Sequence, residues 1–485
     1  MDYRITGYKP EKLFHFFEEI SAVPRGSANE KGISDYLVKF AEERGLWHYR
    51  DDMYNVIIKK AGSKGAEDKP AVMLQGHTDM VCEKRAGVEH DFEKDGLDLV
   101  VKDGNLTANG TTLGADNGIA VALMLTVLDD DTLAHPPVEC VFTTQEEIGL
   151  NGAAALDKSQ ISARIMVNMD SETEGVATVS CAGGMHVELT KKVQRETVSG
   201  TMLQITVEGL QGGHSGTDIS KERQNGNILM ARMLNRLLTE TDGRLVTFAG
   251  GNKDNAIPRE CEASLIYTDA EEAKKAEALA CSLAETFADE ITPYEPDFSC
   301  EIAVEENREA AALSEEDARN LVTAVYLAPN GVQRRNMKME GFVVTSSNLG
   351  IVKAEEDRLL IVFSPRSSVA SLQEEMRTRL RTLADTFGFA MECSGEYPGW
   401  SYKEESRIRE ICQESYRELF GEELKIEAIH AGLECGLFSD AIPGLDAIAV
   451  GPTILECHTP DEYLPLDSSE RFYEFLKDIL ARLAE

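Results

Sequence analysis

Positive charge is what this chain most lacks. Its 485 residues hold 49 Lys plus Arg against 85 Asp plus Glu, a formal net charge of −36. Such a surface repels phosphate backbones and anionic membranes, which argues against nucleic-acid and membrane partners. A long apolar run is missing too: the opening stretch MDYRITGYKPEKLFHFFEEI is amphipathic and charged, so neither export nor a membrane span is expected. The ten cysteines form no CxxC pair and no dense framework, a usage that fits buried thiols in a reducing cytoplasm. There is no Gly-rich phosphate cradle, which disfavours a two-metal phosphohydrolase. What remains, 42% hydrophobic and 28% charged residues, is ordinary for a globular protein with room for two domains.

Periodicity divides the chain in three. Up to about Ser180, helical patterns such as EKGISDYLVKFAEERG and GIAVALMLTVLDD alternate with short apolar runs, NVIIKK, AVMLQGH, VECVFTT and RIMVNMD. These read as buried strands of an α/β sheet. From about Val187 to Tyr402, alternating strands pair with acidic helices. Two segments there, RECEASLIYTDAEEAKKAEALACSLAETFADE and EDRLLIVFSPRSSVASLQEEMRTRLRTLADTFG, each read as strand, connection and long helix, which suggests a duplicated α+β unit. After Tyr402 the α/β pattern returns. The expected architecture is a mixed-sheet α/β/α domain, discontinuous in sequence (1–186 and 403–485), with an inserted α+β lid domain (187–402).

Polar residues gather where the early strands end: His77 and Asp79, then Glu146 and Glu147, then Asp170. Ligands of open α/β sheets collect at the carboxyl ends of strands. Glu146 and Glu147 are adjacent, so in extended chain they would point to opposite faces. Gly149 and Asn151-Gly152 break the strand and let both reach one site. With Asp116 in GADNG and His458 in CHTPDE, the set contains two imidazoles and several carboxylates, the donors that a pair of divalent cations needs.

The segments LQGHTDMVCEK, TTLGADNGIAVALML, TTQEEIGLNGA, VNMDSE, CAGG, GLQGGHSGTDI, HAGLECGLF and CHTPDEYLPL, in this order over nearly the full length, resemble the co-catalytic zinc peptidase superfamily of aminoacylases, carboxypeptidases and dipeptidases. The likeness is greatest to its cytosolic non-specific, or aminoacyl-histidine, dipeptidases. The resemblance implies that His77 and Asp170 hold one metal, Glu147 and His458 the other, and that Asp116 bridges them, with a cis peptide after Asp116. It implies a hydrogen bond from Asp79 to the far nitrogen of His77, Glu146 as general base toward a water between the metals, and His214 of GGHSG as donor to the oxyanion. The implied cofactor is two divalent ions, zinc first, with cobalt or manganese able to use the same donors. The implied substrates are dipeptides with free termini, Xaa-His and β-Ala-His among them. Such a substrate needs a clamp on its carboxylate, for which Arg366 and Asn255 are the candidates, and an anion for its ammonium, for which Glu434 is. An N-acyl amino acid hydrolase, a carboxypeptidase and a non-catalytic metal-binding protein are the alternatives. An intact Glu146 speaks against the last. A monomer or a homodimer fits equally.

Overall fold

The computed structural model describes residues 3–338 and 341–485. Contacts divide them into two units: one runs to Cys181 and continues through Trp400–Ala428 and Leu433–Glu485; the other comprises Ala182–Gly399 and Ile429–Gly432. The chain passes between units a few residues before the expected position on each side, and the four-residue return at Ile429–Gly432 has no counterpart in the sequence reading.

The first unit is built on an eight-stranded sheet, in the order Trp47–Arg50, Val56–Lys60, Val138–Thr143, Val72–His77, Ile165–Asn168, Asp446–Ala449, Val176–Cys181 and Lys425–Ile429. The central four are mutually parallel, and the strands beside them run antiparallel. Val72–His77 and Val138–Thr143 are buried at every position, as a parallel strand covered on both faces must be, which is why they read as unbroken apolar runs. The helix Ala115–Asp129, which lies along Val72–His77, is buried from Ala115 to Leu128. A helix apolar all round belongs in a core.

Parallel strands end at one edge, and this edge carries the site. His77 closes one strand, Asp170 follows the end of Ile165–Asn168, and Glu146 and Glu147 follow Thr143. The start of the central helix is brought to the same edge by a close approach. A Cβ on Gly76 would lie 2.4 Å from Asn117 Oδ1 and 2.7 Å from Ala120 Cβ, so only glycine lets the helix abut the strand just before His77. The loop entering the helix is held by Glu462, whose carboxylate accepts the N–H groups of Leu113, Gly114 and Ala115 at 2.8–2.9 Å. An anion at exposed helix-terminal N–H groups is favoured twice, by hydrogen bonding and by the helix dipole.

In the second unit a nine-stranded sheet is assembled from two four-stranded copies of one topology and one extra strand, Gly331–Arg335, which pairs with Val343–Ala354 off the main path. The first copy has strands Arg195–Glu208, Arg244–Gly250, Cys261–Tyr267 and Ser299–Leu313, with helices Gly226–Glu240 and Ala270–Ile291 after its first and third strands. The second has Gly183–Lys192, Val343–Ala354, Arg358–Ser367 and Ala390–Tyr397; Glu315–Leu327 precedes its second strand and Ala370–Phe387 follows its third. In each copy the spatial order is fourth, first, third, second, and the two second strands meet in the middle. The segments whose sequence patterns match thus hold the same place, third strand and second helix. The duplication is nested: the first copy is inserted after the first strand of the second. The helices start where short polar residues cap them, Asn225, Asp269 and Ser314 each accepting N–H groups of the first turn.

The junction of the copies is narrow. Among the described residues only Ala249↔Lys353 and Gly250↔Val352 pair across it. Beyond that point the Arg195 guanidinium fills the gap, donating to the carbonyls of Val246 and Ala311 in one copy (2.6 and 2.9 Å) and of Ala354 and Glu355 in the other (2.8 and 2.7 Å). Among the described residues no helix is long and apolar enough to cross a membrane.

Replacing Glu462 by Ala strands three buried N–H groups that a charged acceptor now satisfies. The expected loss is about 3 kcal/mol or more in denaturant unfolding of the metal-free protein, with Glu462→Gln intermediate because one oxygen is retained.

Candidate metal centre

Asp116 lies between two imidazoles. Its Oδ1 is 3.1 Å from His77 Nε2 and its Oδ2 3.1 Å from His458 Nε2. Asp170 Oδ1 is 3.5 Å from the same His77 nitrogen, and Glu147 Oε1 is 3.0 Å from the same His458 nitrogen. Two sets of three donors result, His77–Asp116–Asp170 and Asp116–Glu147–His458, each with ligand atoms within 4.8 Å of one another. One carboxylate with an oxygen in each set is the geometry of a bridge. The cis peptide at Asp116-Asn117 is present, and Asn117 Nδ2 donates to Asp170 Oδ1 at 3.0 Å, orienting that carboxylate toward His77.

Whether these donors suit cations can be tested on Glu147. Its Oε1 is buried and has no hydrogen bond, although His458 Nε2 is only 3.0 Å away. The two atoms approach without the alignment that a hydrogen bond requires, as ligands of a common ion do. Charge points the same way. Burial drives the Asp116 carboxyl up, but the flanking imidazoles outweigh it and hold it below the ordinary range. The carboxylates of Asp116 and Glu147 close to its Nε2 push His458 up to about 11. Burial opposes the charged form of His77, yet Asp170 and Asp116 raise it well above the ordinary imidazole value. In the metal-free chain protons on the imidazoles answer the surplus negative charge; a dication would take their place. The donor set fits two divalent ions.

The carboxylates behind the ligands have distinct partners. His77 Nδ1 is 3.1 Å from the backbone carbonyl of Asp79 and 3.5 Å from its carboxylate. The Asp79 carboxylate thus stands beside the far nitrogen of His77, although the nearer acceptor is the same residue's carbonyl, and the carboxylate has further partners. It accepts the N–H of Glu146 at 3.1 Å, the N–H of Glu147 at 3.3 Å and the Ser27 hydroxyl at 2.8 Å. Glu146 shares a 4.8 Å cluster with His77 and Glu147. Burial, with Asp170, Glu434 and Glu147 nearby, pushes its carboxyl up to about 9, against the pull of His77.

Glu434 differs from expectation. Its side chain is wholly enclosed (0% exposed), Oε2 accepting from Thr143 Oγ1 at 2.7 Å and from Gln75 Nε2. Gln75 Oε1 in turn accepts from Asn168 Nδ2 at 2.6 Å, and Asn168 Oδ1 accepts the N–H of Asp170 at 3.1 Å. An enclosed carboxylate has no surface to offer an ammonium; its contacts run beneath the ligands, across three strands. Burial raises its carboxyl to about 7.

His214, Asn255 and Arg366 belong to the second unit. His214 pairs with Ala256 in a two-stranded ribbon, and the Asn255 carbonyl accepts the N–H of Ser215 at 2.8 Å, so the two candidates are neighbours. His214 Nδ1 accepts backbone N–H groups of Gly216 (3.3 Å) and Thr217 (3.2 Å), which puts the proton of the neutral ring on Nε2. Burial, with Arg366 adding to it, lowers the His214 pKa, so the ring stays neutral. Arg366 is 8% exposed, and its Nε has no partner. Its Nη1 donates to Tyr397 Oη at 2.8 Å, and among the described residues no carboxylate lies within ion-pair distance. A buried guanidinium without an anion calls for one. The sequence reading missed Arg25, Ser27, Glu30, Gln75, Asn168, Tyr397 and Glu462. Glu462 alone had a signal, since it stands in the same CHTPDE segment as His458.

The chain is 34% identical over 481 residues, 99% of both chains, to the cytosol non-specific dipeptidase of Escherichia coli. Its structure matches the aminoacylhistidine dipeptidase of Vibrio alginolyticus with a TM-score of 0.94 at 36% identity, covering 99% of this chain and 98% of that one. An aminopeptidase of Bacillus cereus, 16% identical with a TM-score of 0.57 and 99% of this chain covered, shares the fold. Residues 73–482 match peptidase family M20/M25/M40, and with near full-length identity above 30% to one relative, the chain belongs to that metallopeptidase family.

Proposed function

We propose that this protein is a cytoplasmic two-metal dipeptidase that hydrolyses small dipeptides with free amino and carboxyl termini, Xaa-His and β-Ala-His among them. The observation that carries the reading is the Asp116 carboxylate with one oxygen toward each imidazole and a further carboxylate, Glu146, beside the same cluster. His77 and Asp170 would hold one ion, Glu147 and His458 the other. Zinc is the proposed occupant, since imidazole and carboxylate donors suit it, and cobalt or manganese would use the same set. Bound there, the ions supply Lewis acidity toward a peptide carbonyl and acidify water.

The chain's own groups do the rest. Glu146 takes the proton of the attacking water and returns it to the leaving amine. His214, its proton on Nε2, donates to the developing oxyanion. Arg366 takes the terminal carboxylate bidentately, with Asn255 beside the histidine to add an amide contact. Buried Arg366 without an anion supports that role better than a structural one. The direct test is to incubate the zinc-loaded protein with Ala-His, β-Ala-His, an N-acetylated dipeptide and a tripeptide, and to follow free amino acids. Cleavage of both dipeptides alone is expected; preference for the acetylated compound would turn the reading to an acyl hydrolase.

Glu146→Gln is expected to keep both ions by elemental analysis while turnover falls by roughly 10²–10⁴, since an amide cannot accept the proton. Glu147→Ala is expected to lose one ion. The reverse pattern would exchange the two roles.

If Arg366 binds the terminal carboxylate, Arg366→Ala and amidation of the dipeptide remove one charged contact from opposite sides. Either alone is expected to lower kcat/KM by about one to two decades, equivalent to roughly 1.5–3 kcal/mol, and the second to add little. Full additivity would take Arg366 out of the clamp.

A further inference from the structure

Three successive backbone N–H groups, those of Gln145, Glu146 and Glu147, all end on buried carboxylates. Gln145 N–H donates to Glu30 Oε1 at 3.2 Å, Glu146 N–H to Asp79 Oδ1 at 3.1 Å and Glu147 N–H to Asp79 Oδ2 at 3.3 Å. Gln145 has φ of +51°, the left-handed turn that lets consecutive N–H groups face one way and form an anion-binding concavity. Ordinarily such a nest receives a ligand. Here two side chains fill it, Glu30 at 2% exposure and Asp79 at 0%.

Both carboxylates are themselves held by one short segment, Arg25–Glu30. Ser27 Oγ donates to Asp79 Oδ2 at 2.8 Å, and the N–H of Ala28 to Glu30 Oε1 at 2.9 Å. Arg25, with 2% exposure, donates from Nη1 to the Thr78 carbonyl at 3.0 Å and from Nη2 to the Gly114 carbonyl at 2.6 Å. Three side chains within six residues thus reach the three loops that carry His77 and Asp79, Asp116, and Glu146 and Glu147. The site accommodates the guanidinium only because positions 114 and 118 are glycine, where a Cβ would stand 2.6 and 2.5 Å from Nη2.

We infer that Ser27 and Glu30 are positioning residues of the metal centre: through the nest at 145–147 they fix the directions in which Glu146 and Glu147 leave the backbone, and so set the affinity of the Glu147–His458 ion and the rate of proton transfer. The inference rests on the two-metal reading above. Without the Ser27 hydroxyl, the Asp79 carboxylate is free to turn about its own axis, and one of the two N–H groups loses its acceptor. The neighbouring side chain then departs from a peptide plane that is no longer held. The ion of His77 and Asp170 is approached less directly: the Asp79 carboxylate stands 3.5 Å from His77 Nδ1, while the nearer acceptor at 3.1 Å is the Asp79 carbonyl, which neither Ser27 nor Glu30 touches.

The test titrates metal-free protein with zinc against a chromophoric chelator, for wild type, Ser27→Ala, Ser27→Thr, Glu30→Ala and Glu30→Gln, with steady-state kinetics on Ala-His in parallel. Ser27→Ala and Glu30→Ala are each expected to weaken one of the two zinc affinities about tenfold, leave the other within twofold, and lower kcat about tenfold with KM within twofold, the range seen when groups behind metal ligands are altered. Ser27→Thr and Glu30→Gln keep a hydroxyl and an acceptor oxygen and are expected to restore both readouts. Equal weakening of both ions, or a lower Tm with unchanged affinities and kcat, overturns the positioning role. A selective zinc effect in a protein that cleaves no dipeptide would leave the positioning role standing and remove the substrate assignment.

Discussion

Holding like charges together is the constraint from which the first unit follows. Six carboxylates, those of Asp79, Asp116, Glu146, Glu147, Asp170 and Glu434, crowd around two imidazoles. Left unpaired at low dielectric, such a cluster would either protonate or open. It meets this in two ways: Asp79 stays charged because backbone N–H groups and a hydroxyl donate to it, whereas Glu146, and to a lesser degree Glu434 beside Thr143 and an amide, hold their protons more tightly than an ordinary carboxyl. The negative charge left over faces the two imidazoles. That directional surplus, rather than any one ligand, is what makes the edge of this sheet a place for cations.

Such an arrangement needs rigid suppliers, and the sheet provides them. Four parallel strands end side by side, so ligands from distant parts of the sequence arrive with a fixed spacing. The groups least tied to the sheet are Asp116, at the start of a helix, and His458, in a loop with φ of +62° at the histidine itself. These two are linked through Glu462, four residues after His458, whose carboxylate closes the loop that precedes Asp116. One short segment thereby supplies a candidate ligand and the anchor for the carboxylate between the two imidazoles.

Much of this was legible in the sequence, and the reason is local. His77, Glu146, Glu147 and Asp170 each stand where an apolar run ends, so pattern alone puts them at strand ends; Asp116 and His458 lie in a Gly-flanked helix start and a loop, and their motifs joined them to the set through the family resemblance. What could not be read is direction and backbone chemistry. The family resemblance placed Asp79 behind His77, where its carboxylate stands at 3.5 Å, but it gave no sign of the N–H groups 67 and 68 residues away that the same carboxylate accepts, which have no side-chain signature. Glu434 was visible as a residue but not as one turned inward. Arg25 and Glu30 sit in a stretch with no periodicity, and the strands of the second unit were readable individually while their nested order was not.

That nested order has a consequence for synthesis on the ribosome. The inner copy of the second unit is contiguous, Arg195 to Leu313, and can close its sheet as soon as it emerges. The outer copy cannot, because Gly183–Lys192 must wait for strands that follow Leu313. The first unit waits longer still. Its strands Ile165–Asn168 and Val176–Cys181 are held apart by Asp446–Ala449, which is made only after the whole second unit, and His458 follows it. A growing chain therefore passes most of its translation with a well-formed inner module and an open central sheet, and it acquires the full set of candidate metal ligands only in its last stretch. A hydrolase assembled in this way is silent toward peptides until its fold is nearly finished.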